Sequence, residues 1–161
     1  ALNAGIHVGA YLFSYAYSAD RARQEAELFL SIVEKYKGKM GFPLCFDWEY
    51  DSYKYAKEHG VTPTRVLVTE WAVVFLETLE ADSWYAMNYC NKDYYNQYFS
   101  TDEMKKYDIW LADYNPKPCM PCGIQQTTSC GQVPGIQGNC DCNVTSIYYP
   151  DVMRQNKLNG C

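Results

Sequence analysis

Two carboxylates a single residue apart, Asp47 and Glu49 in the run F-P-L-C-F-D-W-E-Y (42–50), are the residues of this sequence best placed to do chemistry. Gly41 and Pro43 break the chain ahead of them, Leu44 and Phe46 are apolar, and the run reads as a buried β-strand ending in the two acids. Alternation puts Asp47 and Glu49 on one face, about 6–7 Å apart, and turns Trp48 to the other. At that separation each charge alters its neighbour's titration. A carboxyl kept protonated beside one kept ionised is the usual equipment for cleaving a glycosidic bond. The same D-x-E spacing also suits a strand end whose acids cap the next helix or pair with Lys and Arg.

The elements that must hold this pair read as strand and helix in alternation, then strands alone. Residues 5–17 are β-rich, with Tyr11, Phe13 and Tyr15 on one face. Ser18 or Asp20 can cap a helix whose apolar stripe is Ala22, Ala26, Phe29, Leu30 and Val33. After the carboxylates comes a polar segment (50–59). Thr62 and Pro63 then predict the start of a second helix, striped by Leu67, Trp71, Val74, Phe75 and Leu79 and running to about Ala81. Residues 83–89 form the next strand, 92–99 a short aromatic and helical segment, and 108–114 another strand, with Trp110, Ala112 and Tyr114 on one face. From Asn115 onward Pro, Gly and Cys punctuate short β-runs near Ile124 and Cys140–Val144. Alternating units imply a parallel sheet covered by helices, with its chemistry at the carboxyl ends of the strands, where Asp47 and Glu49 fall.

Composition narrows the function classes. A chain of 161 residues, 48% apolar and only 20% charged, is a folded chain, and its length suits one domain. A net charge of −5 argues against nucleic acid as a partner, and no apolar run is long enough to span a membrane. No nucleotide-binding glycine motif, no G-x-S-x-G elbow and no metal or cofactor signature stands out. His7, among apolar residues, reads as a core or hydrogen-bonded histidine, and His59 as exposed. Sixteen tyrosines, against six phenylalanines and four tryptophans, suit either sugar stacking or core packing. Asn143-Val144-Thr145 fits the glycosylation sequon, which matters only in a eukaryotic secretory pathway. Six of the eight cysteines (119, 122, 130, 140, 142 and 161) fall in the last third, which predicts disulfides in an oxidising compartment ahead of free thiols, redox chemistry or zinc.

Four stretches in this order, A-G-I-H-V-G-A-Y-L-F (4–13), D-W-E (47–49), I-W-L-A-D-Y (109–114) and V-P-G-I-Q-G-N-C-D-C-N (133–143), resemble the glycoside hydrolase family 25 muramidases, the lysozymes of bacteria and phages. The resemblance implies an irregular TIM-like (β/α) barrel whose helices fade in the C-terminal half, formed as a single catalytic domain over 1–161. It implies a secreted or wall-associated enzyme without cofactor that cuts peptidoglycan between N-acetylmuramic acid and N-acetylglucosamine. Carried over by position, Glu49 is the general acid, Asp47 its neighbour that tunes it and steadies the charged intermediate or the acetamido group, and Asp141 a further site carboxylate. Tyr11, Tyr89, Trp110 and Tyr114 would line the sugar groove, with Gln125 a polar contact beside them, and Cys140 and Cys142 would turn away. Two departures stand out. Nothing corresponds to the family's first strand with its D-V-S-like Asp, or to the strand and helix after it, so the barrel is expected to be incomplete at its N-terminal side. The strand at 5–13 would then be an unpaired edge, in a fragment of a longer enzyme or in a chain that pairs with another. The second departure is Gln126, where the family commonly has an aromatic. D-W-E-Y also occurs in chitinase-like family 18 enzymes, but Phe42 and Cys45 stand where their D-x-x-D-x-D-x-E pattern needs Asp. A non-catalytic wall-binding module is the remaining alternative.

Overall fold

Leu44, Cys45, Phe46 and Asp47 are all buried, and such a strand can exist only inside a sheet covered on both faces. In the computed structural model, which describes residues 1–161, this strand is β2 (Leu44–Asp47). It lies between β1 (Ala10–Phe13) and β3 (Ala86–Asn91), followed in spatial order by β4 (Asp108–Ala112), β5 (Ile124–Gly131) and β6 (Cys140–Thr145). The first five strands run parallel, and β6 returns antiparallel to β5. The sheet curls into half of a TIM-like barrel. Helices α1 (Ala19–Val33), α2 (Tyr50–Glu58) and α3 (Arg65–Ala81) cover its first half, while β3 and β4 are joined by the single turn α4 (Lys92–Tyr94) and a π-turn at Tyr95–Phe99. No helix separates β4, β5 and β6, so the helices fade as the sequence predicts; α5 (Tyr149–Asn156) closes the chain.

Alternation along β2 divides the interior in two. Leu44, Phe46 and Trp48 face the helices and join Phe29, Trp71 and Phe75 in the main core. Cys45 faces the concave side with Met87, Ile124, Tyr149 and Met153. Trp48 is fully buried, and its indole N–H donates to the Ala16 carbonyl at 3.0 Å, which ties the end of β2 to the segment after β1.

Several elements differ from their sequence reading for identifiable reasons. The first strand is four residues long rather than 5–17, because β2 offers a partner only from Leu44 to Asp47. The polar segment 50–59 is helix α2: only Ser52 and Ala56 are buried on it, one turn apart and too narrow a stripe to show as apolar periodicity. Helix α3 is capped by Thr64, whose hydroxyl accepts from the Leu67 N–H at 3.3 Å, so Pro63 lies just outside the helix. Helix α5 escaped the reading because only Tyr149, Pro150 and Met153 are buried on it.

The expected disulfides do not form, and all eight cysteines are free. The bulges of β5 explain part of this. Thr128 pairs with Cys142 and Gly131 with Cys140, so Cys130 falls in the irregular stretch and faces no cysteine across the ladder. Cys45 and Cys90 are buried among core residues. No helix is long and apolar enough to cross a membrane. The outer edge of β1 has no strand beside it, and against it opens a cavity of about 780 Å³, lined mostly by apolar residues that include Val8, Leu12, Phe29, Ile32 and Met40.

Candidate active site

The site lies on the concave face at the carboxyl ends of the strands. Asp47 is the last residue of β2, only 5% exposed; Glu49 stands just past the strand as the N-cap of α2. Its backbone remains extended (φ −130°, ψ −161°), so the two carboxylates keep to one face although the strand has ended. Glu49 and Ser52 form a capping box, in which the Glu49 N–H donates to the Ser52 hydroxyl at 3.0 Å. The capping role that D-x-E spacing allows is therefore present, and it fixes the backbone that carries the acid.

The two acids differ in environment. Asp47 Oδ1 is buried without a hydrogen-bond partner. Burial first, and the charge of Glu49 second, push its pKa up to about 8. Glu49 is less enclosed; burial, then the charges of Asp51 and Asp141, hold its carboxyl above the ordinary range. Asp141, exposed on β6, thus acts on Glu49 from the far side of the lumen. Both shifts favour the protonated form, the direction a general acid requires.

Aromatic rings wall the lumen between them. Register places Tyr89 beside Asp47 and Trp110 beside Tyr89. The Tyr89 and Trp110 rings meet edge to face at 5.0 Å, and Tyr11 from β1 meets Trp110 at 5.9 Å. Burial, then the nearby Glu49 and Asp47 charges, raise the Tyr89 phenol far above its usual pKa, which keeps it a hydrogen-bond donor. Tyr89 and Tyr114 both donate to Gln126 Oε1, at 3.1 and 3.3 Å. The Trp110 indole N–H donates to Asn143 Oδ1 at 2.7 Å. Tyr11 and Tyr114 are each 57% exposed, so both keep ring surface open to solvent. A cavity of about 400 Å³ lies deeper, between Tyr11, Phe42, Trp110, Ile124 and Asn143.

Gln125 is not part of this lumen. Register sets Trp110 beside Ile124 and Ala112 beside Gln126, so Gln125 points outward. It is buried, and its amide donates to the Asp113 and Asn115 carbonyls at 2.7 and 2.8 Å, clamping the loop after β4. The polar groups that do face the lumen are Gln126, read from the sequence only as a departure, and Asn143. Alternation from Asp141 was the available signal for Asn143. Cys140 and Cys142 have the opposite parity and turn away, with Cys142 Sγ over Gly131. His7 is hydrogen-bonded to the Tyr148 hydroxyl at 3.1 Å, and His59 is exposed at the C-cap of α2.

The opposite end of the lumen is plugged. Asp108 Oδ2 accepts from the hydroxyls of Tyr85 (2.5 Å) and Tyr149 (2.9 Å). Gly123 makes room there, since a Cβ would lie 1.9 Å from the Tyr149 hydroxyl oxygen. Nowhere do three or more His, Cys, Asp or Glu side chains converge as metal ligands.

The model of glycosyl hydrolases family 25 matches residues 1–136, a span that includes Asp47, Glu49, Tyr89, Trp110, Tyr114 and Gln126. No curated protein matches the chain. Among solved structures it is similar to the CTP1L endolysin, with a TM-score of 0.74 at 21% identity over 95% of this chain and 52% of that one. It is similar also to the modular autolysin LytC from Streptococcus pneumoniae (TM-score 0.73, 20% identity, 88% and 34% covered). The catalytic domain of endolysin ply40 from bacteriophage P40 of Listeria monocytogenes gives 0.69 at 22% identity, with 99% and 74% covered. The chain thus spans about half the length of the CTP1L endolysin and a third of LytC, and at these identities the likeness is one of fold.

Proposed function

The chain belongs to glycosyl hydrolases family 25, and from that membership we propose that it is a peptidoglycan hydrolase, a muramidase that cuts the β-1,4 bond between N-acetylmuramic acid and N-acetylglucosamine. The observation that carries the reading is the Asp47/Glu49 pair: two neighbouring carboxyls of raised pKa at the carboxyl end of β2, in a lumen walled by aromatic rings. Glu49, nearer the mouth, is the general acid that protonates the leaving oxygen. Asp47, its neighbour, is the group that in its ionised form steadies the positive charge at the reacting carbon or the acetamido group of the substrate. Asp141 keeps the proton on Glu49, while Tyr11, Tyr89, Trp110 and Tyr114 offer ring faces and hydroxyls to the sugars. The substrate class also has support among the similar structures, since LytC was solved with a synthetic peptidoglycan ligand.

In this reading residues 1–161 act as one catalytic domain at or outside the cell wall, and the open edge of β1 takes a further strand from the same or another polypeptide. The test of the acid is Glu49→Gln on purified peptidoglycan. Turnover is expected to fall by about 10²–10⁴-fold with wall binding kept. The second reading, a wall-binding module, is favoured by that same open edge, and it predicts binding that Glu49→Gln leaves intact and no cleavage by either chain.

A further inference from the structure

Five rings form a continuous row that starts on the lumen face at Phe13 and runs out past the mouth. Phe13 and Tyr15 meet at 5.3 Å, Tyr15 and Tyr55 at 5.1 Å, and Tyr55 and His59 at 4.1 Å. Tyr17 stacks on His59 at 4.5 Å with the planes 15° apart. The row begins at the carboxylates, since Phe13 stands beside Asp47 in the sheet, and follows α2, the helix that Glu49 caps.

Its backbone is firmly held. Ser14 and Ala16 are fully buried, so Tyr15 and Tyr17 alternate outward. Ser14 Oγ donates to Glu25 Oε2 at 2.6 Å, the Tyr15 N–H donates to Glu25 Oε1 at 3.1 Å, and Ala16 receives the Trp48 indole. Tyr55 on α2 and His59 at its C-cap fall on one side by their four-residue spacing. His59 Nδ1 lies 2.8 Å from the Tyr55 carbonyl; donating there leaves Nε2 free as an outward acceptor. Tyr15 is 41% exposed and His59 is exposed. A rigid, half-exposed aromatic row with polar ring edges costs little ordering on binding and matches the apolar faces and hydroxyls of pyranose rings.

We propose that Phe13, Tyr15, Tyr55, His59 and Tyr17 form an accessory glycan-binding surface that holds N-acetylated sugars of the strand beyond the bond that is cut. This rests on the reading of the lumen as a glycan-cleaving site. The row lengthens the footprint of the enzyme on a polymeric substrate, so its effect grows with chain length and leaves the chemistry at Glu49 untouched.

The test titrates the Glu49→Gln chain with β-1,4-linked N-acetylglucosamine dimer and hexamer and follows ring signals by NMR. The expected result is that the dimer moves Tyr89 and Trp110 alone, whereas the hexamer also moves His59 and Tyr55. Tyr55→Ala should weaken hexamer binding by about 2- to 10-fold and spare the dimer; His59→Ala, at the exposed end of the row, replaces it if Tyr55→Ala does not fold. Hexamer signals confined to Tyr89 and Trp110 would overturn the accessory surface while leaving the sugar-binding lumen in place. Silence at both places would overturn the lumen reading along with it.

Discussion

Asp47 Oδ1 has no partner, so ionising this residue leaves a buried charge with nothing to receive it. Its native pKa of about 8 lies above the ordinary 3.8, so between those values the folded chain holds a proton that the unfolded chain releases. The stabilisation is complete below pH 3.8 and is lost as pH rises through about 8. Asp47→Asn is therefore predicted to flatten the decline in stability across this window and to raise stability above pH 8 by about 1–3 kcal/mol. Denaturation midpoints of both chains against pH provide the check, and parallel curves would contradict it. A second prediction concerns Asp141, whose charge raises the Glu49 pKa. Asp141→Asn should move the alkaline limb of the pH–rate profile to lower pH; an unmoved limb would detach Asp141 from the acid. At this scale the sequence showed the carboxylates and the aromatic set, because residue type and alternation are visible in one strand. It did not separate Gln125 from Gln126, which depends on the Trp110–Ile124 register between two strands, and a slip of one residue exchanges the faces.

Elements with a wide apolar face were legible, and those with a narrow one were not. Helix α3 buries seven residues, including Trp71, Phe75 and Leu79, and its stripe is plain in the sequence. Helices α2 and α5 bury two and three residues respectively and owe their place to capping and to the lumen floor. That floor is a testable element. Gly123 accommodates the Tyr149 hydroxyl, so Gly123→Ala should destabilise the chain by about 1–3 kcal/mol through overpacking. Because the nearest clashing atom is that hydroxyl oxygen, the penalty should shrink in a Tyr149→Phe background. Thermal denaturation of the two single variants and the double variant decides the point, and strict additivity would contradict the contact.

The molecule as a whole is a curled sheet with one open side. The alternation of strands and helices announced the barrel type, and the loss of helices in the second half was visible in the Pro, Gly and Cys punctuation after Asn115. How far the sheet curls was not visible, since that depends on strands far apart in sequence. The apolar cavity at the β1 edge predicts that the isolated chain associates as its concentration rises; a monomer throughout in sedimentation equilibrium would contradict the pairing of that edge. The central claim, that the lumen cuts glycan strands at muramic acid with Glu49 as the acid, is tested most directly by the new ends it makes. Peptidoglycan digested by the unmutated chain and by Glu49→Gln would be reduced and its fragments identified by mass spectrometry. Reduced N-acetylmuramic acid ends from the unmutated chain alone are the predicted result; N-acetylglucosamine ends, or no new ends from either chain, would contradict it.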